Sequence, residues 1–269
     1  MVYLSLVALV KKEHHYIKEW LSYYRSIGVE KFFIFNNNKP DKTRQEMLKL
    51  PFAKDIVVSN FLDYSPNRIH NAYKKAIKFY KEQTEWMIFC NIDEFYMFST
   101  PTNMQTFLRD YRKHSAVAVP TMQYGSSGYI NRPQSVKDTI CLSNYLYRQK
   151  KICRKINTIV KPADITGFID LNVWKTTKHT VTENYDLLPN FLRKDIRGDF
   201  LYKKFQKASK LRINNYITKS QQDFLQKLQK THPCDKEKIN PILFEEINKN
   251  NVYDDLSLNY INQTFKAMN

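Results

Sequence analysis

Two carboxylates directly follow an apolar run in residues 86–95 (WMIFCNIDEF). Burying Asp93 and Glu94 without a counter-charge would be costly. Mg²⁺ or Mn²⁺ would supply that charge, because these ions prefer oxygen ligands and keep coordination positions open for phosphate oxygens. The pattern therefore indicates a metal site that could neutralise a diphosphate leaving group. It is equally typical of a turn in which the acids after a strand are solvated.

Polar residues also follow two strands predicted earlier in the chain. Lys12 and Glu13 end the first of these strands, and Asn36, Asn37 and Asn38 end the second. An Asn side chain both donates and accepts hydrogen bonds, which suits recognition of a base or a ribose. Asn is also a common turn residue, so the loop alone favours an ordinary turn. Its position at a strand end is what makes it a candidate binding site.

The elements that would position these residues alternate over the first hundred residues. Apolar patterns predict strands at 2–10, 31–35, 55–59 and 86–95 and helices at 14–27 and 66–82. This alternation predicts an α/β domain with a mostly parallel sheet. Ligands bind outside the carboxyl ends of such strands, so we expect the polar strand ends to converge on one crevice. Further patterns predict strands at 116–122 and 156–160 and a helix at 221–228.

Composition excludes several classes of protein. Only five of the 269 residues are Gly, so neither a GxGxxG dinucleotide loop nor a GxxxxGK[ST] phosphate loop can be drawn. No stretch reaches eighteen apolar residues, and the apolar start is typical of a buried strand and not of a signal peptide. The four Cys residues contain no CxxC. We therefore expect neither structural disulfides nor a zinc site, and we expect a cytoplasmic protein.

The chain is strongly basic, with 43 Lys and Arg against 26 Asp and Glu and a net charge of +17. Residues 193–238 hold thirteen of the basic and five of the acidic residues, a local net charge of +8. Such a surface could bind nucleic acid or anionic lipid. Two alternatives to an enzyme therefore stay open: a nucleic-acid-binding protein and a non-catalytic membrane-associated module. Against the first, the sequence carries no RRM, KH or helix-turn-helix signature.

Five blocks of the sequence, taken in order, resemble bacterial glycosyltransferases related to families 2 and 92. The blocks are residues 7–43, 86–98, 123–129, 155–162 and 211–227, so the resemblance extends from about residue 5 to 230. It implies a GT-A fold, in which a single α/β domain uses a nucleotide-sugar donor and a divalent metal, Mn²⁺ or Mg²⁺.

The resemblance assigns the acidic pair to the metal and diphosphate motif, with Asp93 as the more direct ligand and Glu94 beside it. Asn91 stands where the family has its first Asp, and Ile92 lies between the two polar positions. The usual Asp-x-Asp is therefore Asn-x-Asp in this chain, which removes one formal charge from the implied metal site.

The block at 211–227 completes the implied metal site. Asn215 stands where the family has a His and could coordinate through its amide oxygen. Alternatively, His179 could replace it, or the donor phosphates could hold most of the metal coordination. Lys219 could supply positive charge to the diphosphate. The other implied contacts to the nucleotide-sugar are Lys12, Glu13, Asn36, Asn38, Asn67, Arg68, Asn71, Asn91 and Ile92.

The acceptor is assigned to the loop that holds two of the five glycines. Its implied binding residues are Tyr124, Gly125, Ser126, Ser127 and Gly128. The glycines would let a saccharide approach the backbone closely, and Tyr124 and Tyr129 could stack on a sugar ring.

An inverting transfer also needs a general base for the acceptor hydroxyl. Three carboxylates lie between the acceptor loop and the block at 211–227, where the base is expected. These candidates are Asp164, Asp170 and Glu183, with Asp170 slightly favoured.

These expectations describe a metal-assisted hexosyltransferase that moves a sugar from a UDP-sugar, for instance UDP-galactose, to an oligosaccharide or lipid-linked saccharide in lipopolysaccharide or capsule biosynthesis. We expect a core at residues 1–192, with a nucleotide-sugar part at about 1–100 and an acceptor part at about 101–192. Residues 193–269 would form a basic helical extension that completes the site and could contact anionic lipid at the inner face of the cytoplasmic membrane. No nucleic-acid partner is expected.

Overall fold

Strands and helices alternate over the first hundred residues in the order that the sequence predicts. The computed structural model describes residues 1–38, 41–133, 144–150, 153–170, 172–188, 210–230 and 242–260. The helices are α1 (Ile17–Ser26), α2 (Lys42–Leu48), α3 (Arg68–Tyr80), α4 (Met104–Arg109), α5 (Gln221–Lys230) and α6 (Ile242–Ile247). The strands are β1 (Val2–Val10), β2 (Lys31–Asn36), β3 (Ile56–Asn60), β4 (Thr84–Phe89), β5 (Glu94–Phe98), β6 (Ala116–Gln123), β7 (Tyr147–Arg148), β8 (Cys153–Val160), β9 (Ile165–Asp170), β10 (Val173–Thr176), β11 (Thr180–Val181), β12 (Leu187–Leu188), β13 (Leu211–Asn215) and β14 (Val252–Tyr253).

Contacts within the chain group it into two compact units. Unit 1 comprises Met1–Ile92, Thr102–Pro120 and Arg154–Ala208, and unit 2 comprises Asp93–Pro101, Thr121–Cys153 and Ser209–Asn269. Each unit therefore draws on segments that are distant in sequence. The predicted division into residues 1–192 and 193–269 followed chain order instead.

Unit 1 is built on a mostly parallel sheet, as predicted. Its strand order is β12-β11-β6-β8-β4-β1-β2-β3, and β1 is parallel to both β2 and β4. Val7 at the centre of β1 lies between Phe33 and Phe89, and all three side chains are buried in one core cluster. Strands buried on both faces read as continuous apolar runs, which is why the sequence shows them so clearly.

Helix α3 covers that core cluster through one face. Tyr73 is fully buried, and Ile69, Ile77 and Tyr80 pack against the cluster, as the helical spacing predicts. Helix α1 ends at Ser26, and Gly28 lies at the predicted C′ position with φ +103, a conformation that costs Gly little.

The prediction of one continuous strand at 86–95 is wrong. β4 ends at Phe89, the chain turns over residues 90–93, and β5 begins at Glu94 and pairs antiparallel with β13. Cys90 is therefore a buried thiol in the turn and not a strand residue, with its Sγ 3.4 Å from the Tyr24 hydroxyl oxygen. Apolar residues on both sides of the turn conceal the change of strand partner in the sequence.

Unit 2 holds most of the segment that the sequence assigns to a helical extension, from Ser209 onward. β13 pairs antiparallel with β5 and parallel with the end of β6, and helix α5 follows it. Residues 193–209, 231–241 and 261–269 of the predicted extension lie outside the described residues. None of the helices in the described ranges combines the length and the apolar character needed to cross a bilayer.

Candidate functional site

The acidic turn places one carboxylate against a basic helix residue of unit 2. The Asp93 side chain is 11% exposed, and Lys227 of α5 donates from Nζ to its Oδ2 over 2.7 Å. Glu94 is fully buried and lies opposite Asn215 in the pairing of β5 with β13. The sequence did not single out Lys227, since one lysine in a lysine-rich helix carries no distinguishing signal.

Asn215 brings an unsatisfied acceptor to this turn. Its side chain is buried, and its Oδ1 has no hydrogen-bond partner among the described residues. The next backbone N–H, that of Tyr216, donates to the carbonyl oxygen of Asp93 over 2.8 Å. The pairing of β13 with β5 therefore places Asn215 next to Glu94. It also hydrogen-bonds the backbone of Tyr216 to that of Asp93.

The donor set fits a hard divalent cation in its chemistry. Asp93, Glu94 and Asn215 would each coordinate through an oxygen atom, the ligand type that Mg²⁺ and Mn²⁺ prefer. In the part of the chain that the structure describes, no three His, Cys, Asp or Glu side chains cluster as a metal site. The amide oxygen of Asn215 is a further oxygen that could add to the two carboxylates as a ligand. His179, the alternative ligand, lies in unit 1, where its backbone carbonyl accepts from the Ser115 N–H.

Lys219 is buried beside the start of α5. It is 7% exposed and adopts a left-handed backbone with φ +50, between the buried residues Thr218 and Ser220. The Lys219 ammonium therefore places a positive charge near the start of α5, and a buried ammonium is stable only with compensating contacts. Its predicted contact with diphosphate stays a prediction, as do those of Asn91, which is half-buried, and Ile92, which is 9% exposed.

The polar ends of β1 and β2 meet through Asp41 in unit 1. The Asp41 carboxylate accepts from the side chains of Asn36 at 3.4 Å and Asn38 at 3.0 Å, and from the Thr43 N–H at 3.1 Å. The Thr43 hydroxyl oxygen in turn accepts from the Glu13 N–H at 2.9 Å. Asp41, which caps α2, was missed, although an Asp at the start of a predicted helix is a recognisable capping signal.

The two predicted residues at the ends of these strands differ in their surroundings. Asn36 is fully buried, and its Oδ1 has no hydrogen-bond partner within the described residues. Lys12 adopts φ +56, which places it in the left-handed region at the end of β1. Hydrogen bonds of Asp41 and Thr43 thus link the ends of β1 and β2 within unit 1, and their convergence with residues 91–94 on one crevice stays a prediction.

A second polar network links the ends of β2 and α3. Asn37 exchanges two hydrogen bonds with the Asp63 backbone, at 2.9 and 3.2 Å, and Asn71 donates to the Asp63 carboxylate at 2.7 Å. The Asn71 bond is the main cause that lowers the pKa of Asp63. Of the other α3 predictions, Asn67 is exposed and Arg68 reaches back to a loop carbonyl at 3.3 Å. Asp63 was not predicted.

Tyr124 of the acceptor loop is not placed as its predicted role in sugar stacking requires. This side chain is fully buried, and its hydroxyl oxygen accepts from Arg212 at 2.8 Å. Burial raises the pKa of Tyr124 well above its usual range. Tyr124 therefore offers no ring face on which a sugar could stack, contrary to the prediction, whereas Tyr129 is 38% exposed.

The close approach predicted at Gly125 is made by the protein itself. A Cβ at this position would lie 2.3 Å from Oδ1 of Asn250. The backbone N–H groups of Ser126 and Ser127 donate to the side chains of Asn248 and Asn250, at 2.7 and 2.9 Å. This side of the loop is thus occupied by residues 248–250, while Gly128 remains exposed.

Asp254 anchors the same C-terminal segment. Its carboxylate forms ion pairs with Arg148 and with Arg212, the latter at 2.7 Å. Burial alone would raise the pKa of Asp254, but the hydrogen bonds and charges of the two arginines lower it to about 2. Arg212 also contacts Tyr124, so one buried carboxylate ties residues 248–254 to the loop.

The three candidate bases lie at different positions in unit 1. Asp164 precedes β9 and Asp170 ends it, so about six residues of strand, roughly 20 Å, separate them. Asp164 accepts from the Ser115 hydroxyl at 2.7 Å. Glu183 is 2% exposed, and its backbone carbonyl accepts from the Tyr111 hydroxyl. Asp164 and Asp170 therefore cannot act on one acceptor hydroxyl together.

Comparison with known proteins identifies a family over most of the chain. The model of glycosyltransferase family 92 matches residues 5–242. A family 92 protein from Oryza sativa is 26% identical over 108 residues, which is 40% of this chain and 18% of that protein. Another from Arabidopsis thaliana is 27% identical over 97 residues, 36% of this chain and 17% of that protein. The chain therefore spans less than a fifth of the length of these relatives.

Similar solved structures are distant. A structure described as a nucleotide-diphospho-sugar transferase from Desulfovibrio desulfuricans is 12% identical with a TM-score of 0.31, covering 45% of this chain and 59% of its own. A structure described as a glucose-1-phosphate thymidylyltransferase from Bacillus anthracis is 11% identical with a TM-score of 0.34, covering 79% of this chain and 85% of its own.

The family match confirms one part of the predicted resemblance. Its span from residue 5 to 242 contains all five of the sequence blocks on which the resemblance rests. The relation to family 2 and the bacterial origin stay predictions, since the curated relatives are plant proteins. The chain belongs to glycosyltransferase family 92.

Proposed function

We propose that the chain transfers a sugar from a nucleotide-diphosphate donor to a saccharide acceptor, on a GT-A-type fold. The observation that carries this proposal is the position of Asn215 opposite Glu94, beside Asp93, in a chain that belongs to family 92. This arrangement offers oxygen ligands after an apolar strand, where a diphosphate-bound cation could be held. UDP is the proposed nucleotide and galactose a candidate sugar.

Departure of the diphosphate requires positive charge. Asp93 and Asn215, with Glu94 beside them, would hold Mn²⁺ or Mg²⁺, which when bound neutralises charge on the leaving phosphate oxygens. Lys219, buried at the start of α5, would add a positive charge from this chain. Placing these groups before the reaction lowers the barrier, because no reorganisation is then needed as charge develops.

The nucleoside would be recognised in unit 1 by the polar ends of β1 and β2. Asp41 holds Asn36 and Asn38 in fixed orientations, and the Asn36 Oδ1 lacks a partner within the described residues. Amide side chains fixed in this way can donate to and accept from a base. Glu13 and Lys12 would contribute from the adjacent strand end.

Deprotonation of the acceptor hydroxyl would fall to a carboxylate if the reaction inverts. Asp170 stays the favoured base, because Asp164 is held by Ser115 and Glu183 is almost completely buried. The acceptor would contact the exposed part of the 124–129 loop, at Gly128 and Tyr129, and not Tyr124. A surface oligosaccharide, in lipopolysaccharide or capsule, is the proposed class of acceptor, and the basic residues of 193–238 would hold the enzyme at the inner face of the membrane.

Calorimetry with UDP and a panel of UDP-sugars in Mn²⁺ tests the donor assignment. We expect at least one UDP-sugar to bind, and we expect Asp41→Ala to weaken that binding by about tenfold. Asn103→Ala is the matched control, because Asn103 caps α4 through the Thr106 N–H as Asp41 caps α2. Absence of binding by every nucleotide, or tight salt-sensitive binding of RNA instead, would contradict the proposal.

A further inference from the structure

Lys227 contacts a proposed metal ligand directly. Its Nζ lies 2.7 Å from Oδ2 of Asp93, whose side chain is 11% exposed, whereas the Lys227 side chain is 47% exposed. The carboxylate is thus largely enclosed, whereas about half of the lysine side chain is exposed to solvent. An ammonium on such a side chain can leave the carboxylate by rotation of side-chain bonds alone.

The helix that carries Lys227 is firmly held in unit 2. The Ser220 hydroxyl caps α5: it accepts from the Asp223 backbone N–H over 3.1 Å and donates to the Asp223 carboxylate over 2.8 Å. Arg132 donates to the Asp223 carboxylate, and Phe224 packs on Phe244. Lys227 lies one turn beyond Asp223, so the anchored helix keeps its ammonium within reach of Asp93.

We infer that Lys227 is a built-in counter-ion of Asp93, which competes with the divalent cation for the same carboxylate and so weakens cation binding. This inference rests on the proposed function, in which Asp93 holds that cation. A cation that binds through Oδ2 competes with the ammonium at 2.7 Å, and one that binds through Oδ1 lies close to the positive charge of Lys227. In both cases the affinity for the cation falls.

The strength of that pair sets the size of the effect. Ion pairs with an exposed partner are weak, so their loss changes a binding equilibrium by about twofold to fivefold. Lys227 would therefore tune the affinity without abolishing binding. In the absence of metal the ammonium would neutralise Asp93, which explains how this turn avoids an uncompensated carboxylate.

Titration of the full chain with Mn²⁺ alone, with the ion left in solution followed by electron paramagnetic resonance, tests this inference. Lys227→Met removes the charge and keeps the stem, and we expect Mn²⁺ to bind about twofold to fivefold more tightly than to the wild type. Lys227→Arg keeps the charge and should stay near the wild type. Lys249→Met is the matched control, because it removes an exposed charge of unit 2 whose Nζ donates to the Glu245 carbonyl.

Three results would overturn the inference. They are an unchanged or weaker Mn²⁺ affinity in Lys227→Met, an equal gain in Lys249→Met, and a gain that persists when Asp93→Asn is added to Lys227→Met. Far-UV circular dichroism verifies that each variant is folded. Binding of UDP-sugars by a wild type whose Mn²⁺ affinity does not depend on Lys227 would overturn this inference alone. Absence of nucleotide binding would overturn the proposed function, whatever Lys227 does to Mn²⁺.

Discussion

Asn215 lies directly opposite Glu94 in the antiparallel pairing of β13 with β5. Residues about 120 positions apart in sequence therefore lie side by side, and the Tyr216 N–H fixes the register by donating to the Asp93 carbonyl. The β13 segment thus adds a polar side chain to the acidic turn. Its amide oxygen has no hydrogen-bond partner in the described residues and is therefore available for the cation that we propose.

Replacing Asn215 should separate cation binding from stability. Asn215→Ala removes a buried acceptor that makes no described hydrogen bond, so the free energy of unfolding without metal should change by less than about 1 kcal/mol. Mn²⁺ affinity should fall by about tenfold, because one of the proposed oxygen ligands is lost. Urea unfolding in EDTA and Mn²⁺ titration measure the two effects.

Asn214 provides the matched control for that experiment. It is fully buried, donates to the Tyr216 hydroxyl at 3.2 Å and accepts from Arg212 at 3.0 Å. Asn214→Ala should therefore lower the free energy of unfolding by about 1–3 kcal/mol, since it leaves buried partners unsatisfied. If Asn215→Ala destabilises the protein as much as Asn214→Ala does, and Mn²⁺ binding is unchanged, then Asn215 is structural.

Gly125 should not tolerate a methyl group. Gly125→Ala would place its Cβ 2.3 Å from Oδ1 and 2.8 Å from Cγ of Asn250 and displace a side chain that accepts from the Ser127 N–H. We expect a loss of about 1–3 kcal/mol in the free energy of unfolding, measured by urea denaturation with tryptophan fluorescence.

A matched glycine and a double variant control that measurement. Gly167→Ala meets Lys175 only at 3.6 and 3.7 Å, ordinary contact distances, so its effect should stay within about 0.5 kcal/mol. Adding Asn250→Ala should reduce the cost of Gly125→Ala, because the obstructing atoms are gone. Equal costs for Gly125→Ala with and without Asn250 would mean that the contact does not matter.

Asp254 should make stability depend on pH in the acid range. Its pKa is lowered from 3.8 to about 2 by the arginine contacts, which outweigh burial. A carboxyl with a lowered pKa in the folded state stabilises the protein above its unfolded pKa, and this stabilisation is lost as the pH falls through the folded pKa. The shift corresponds to about 2 kcal/mol.

The variant Asp254→Asn tests that dependence. At pH 7 its free energy of unfolding should be about 2 kcal/mol lower than that of the wild type. This difference should shrink as the pH falls from about 4 to about 2. Urea denaturation at several pH values gives both numbers. A constant difference over that range would show that the Asp254 charge does not contribute through its arginine partners.

Elements with a local pattern could be predicted from the sequence. The apolar runs of β1 and β2 are long enough to exclude a solvated loop, and α3 shows its buried face through Tyr73 and its neighbours at helical spacing. The end of α1 could be predicted from Gly28 alone, because the left-handed φ needed at this position favours Gly. The family resemblance was also readable, because its blocks occur in order.

Contacts between distant segments could not be predicted. Nothing near Gly125 indicates that Asn250 lies against it, and nothing near Asp93 indicates Lys227, which is one of 43 basic residues. The break in the strand at Cys90 was equally hidden, because it depends on β13 as a new partner. The sequence singled out candidate residues mainly where they follow a strand, as Glu13 and Asn36 do, and their roles stay predictions.

The turnover of Asp93→Asn directly tests whether Asp93 acts in the proposed sugar transfer. The measurement is release of UDP from the UDP-sugar that binds, with a saccharide acceptor and Mn²⁺ present, for the wild type and for the variant under identical conditions. We predict that the wild type turns over and that Asp93→Asn loses on the order of 10²-fold or more in rate while its circular dichroism spectrum and unfolding midpoint stay close to those of the wild type. Near-normal turnover by folded Asp93→Asn would contradict the account.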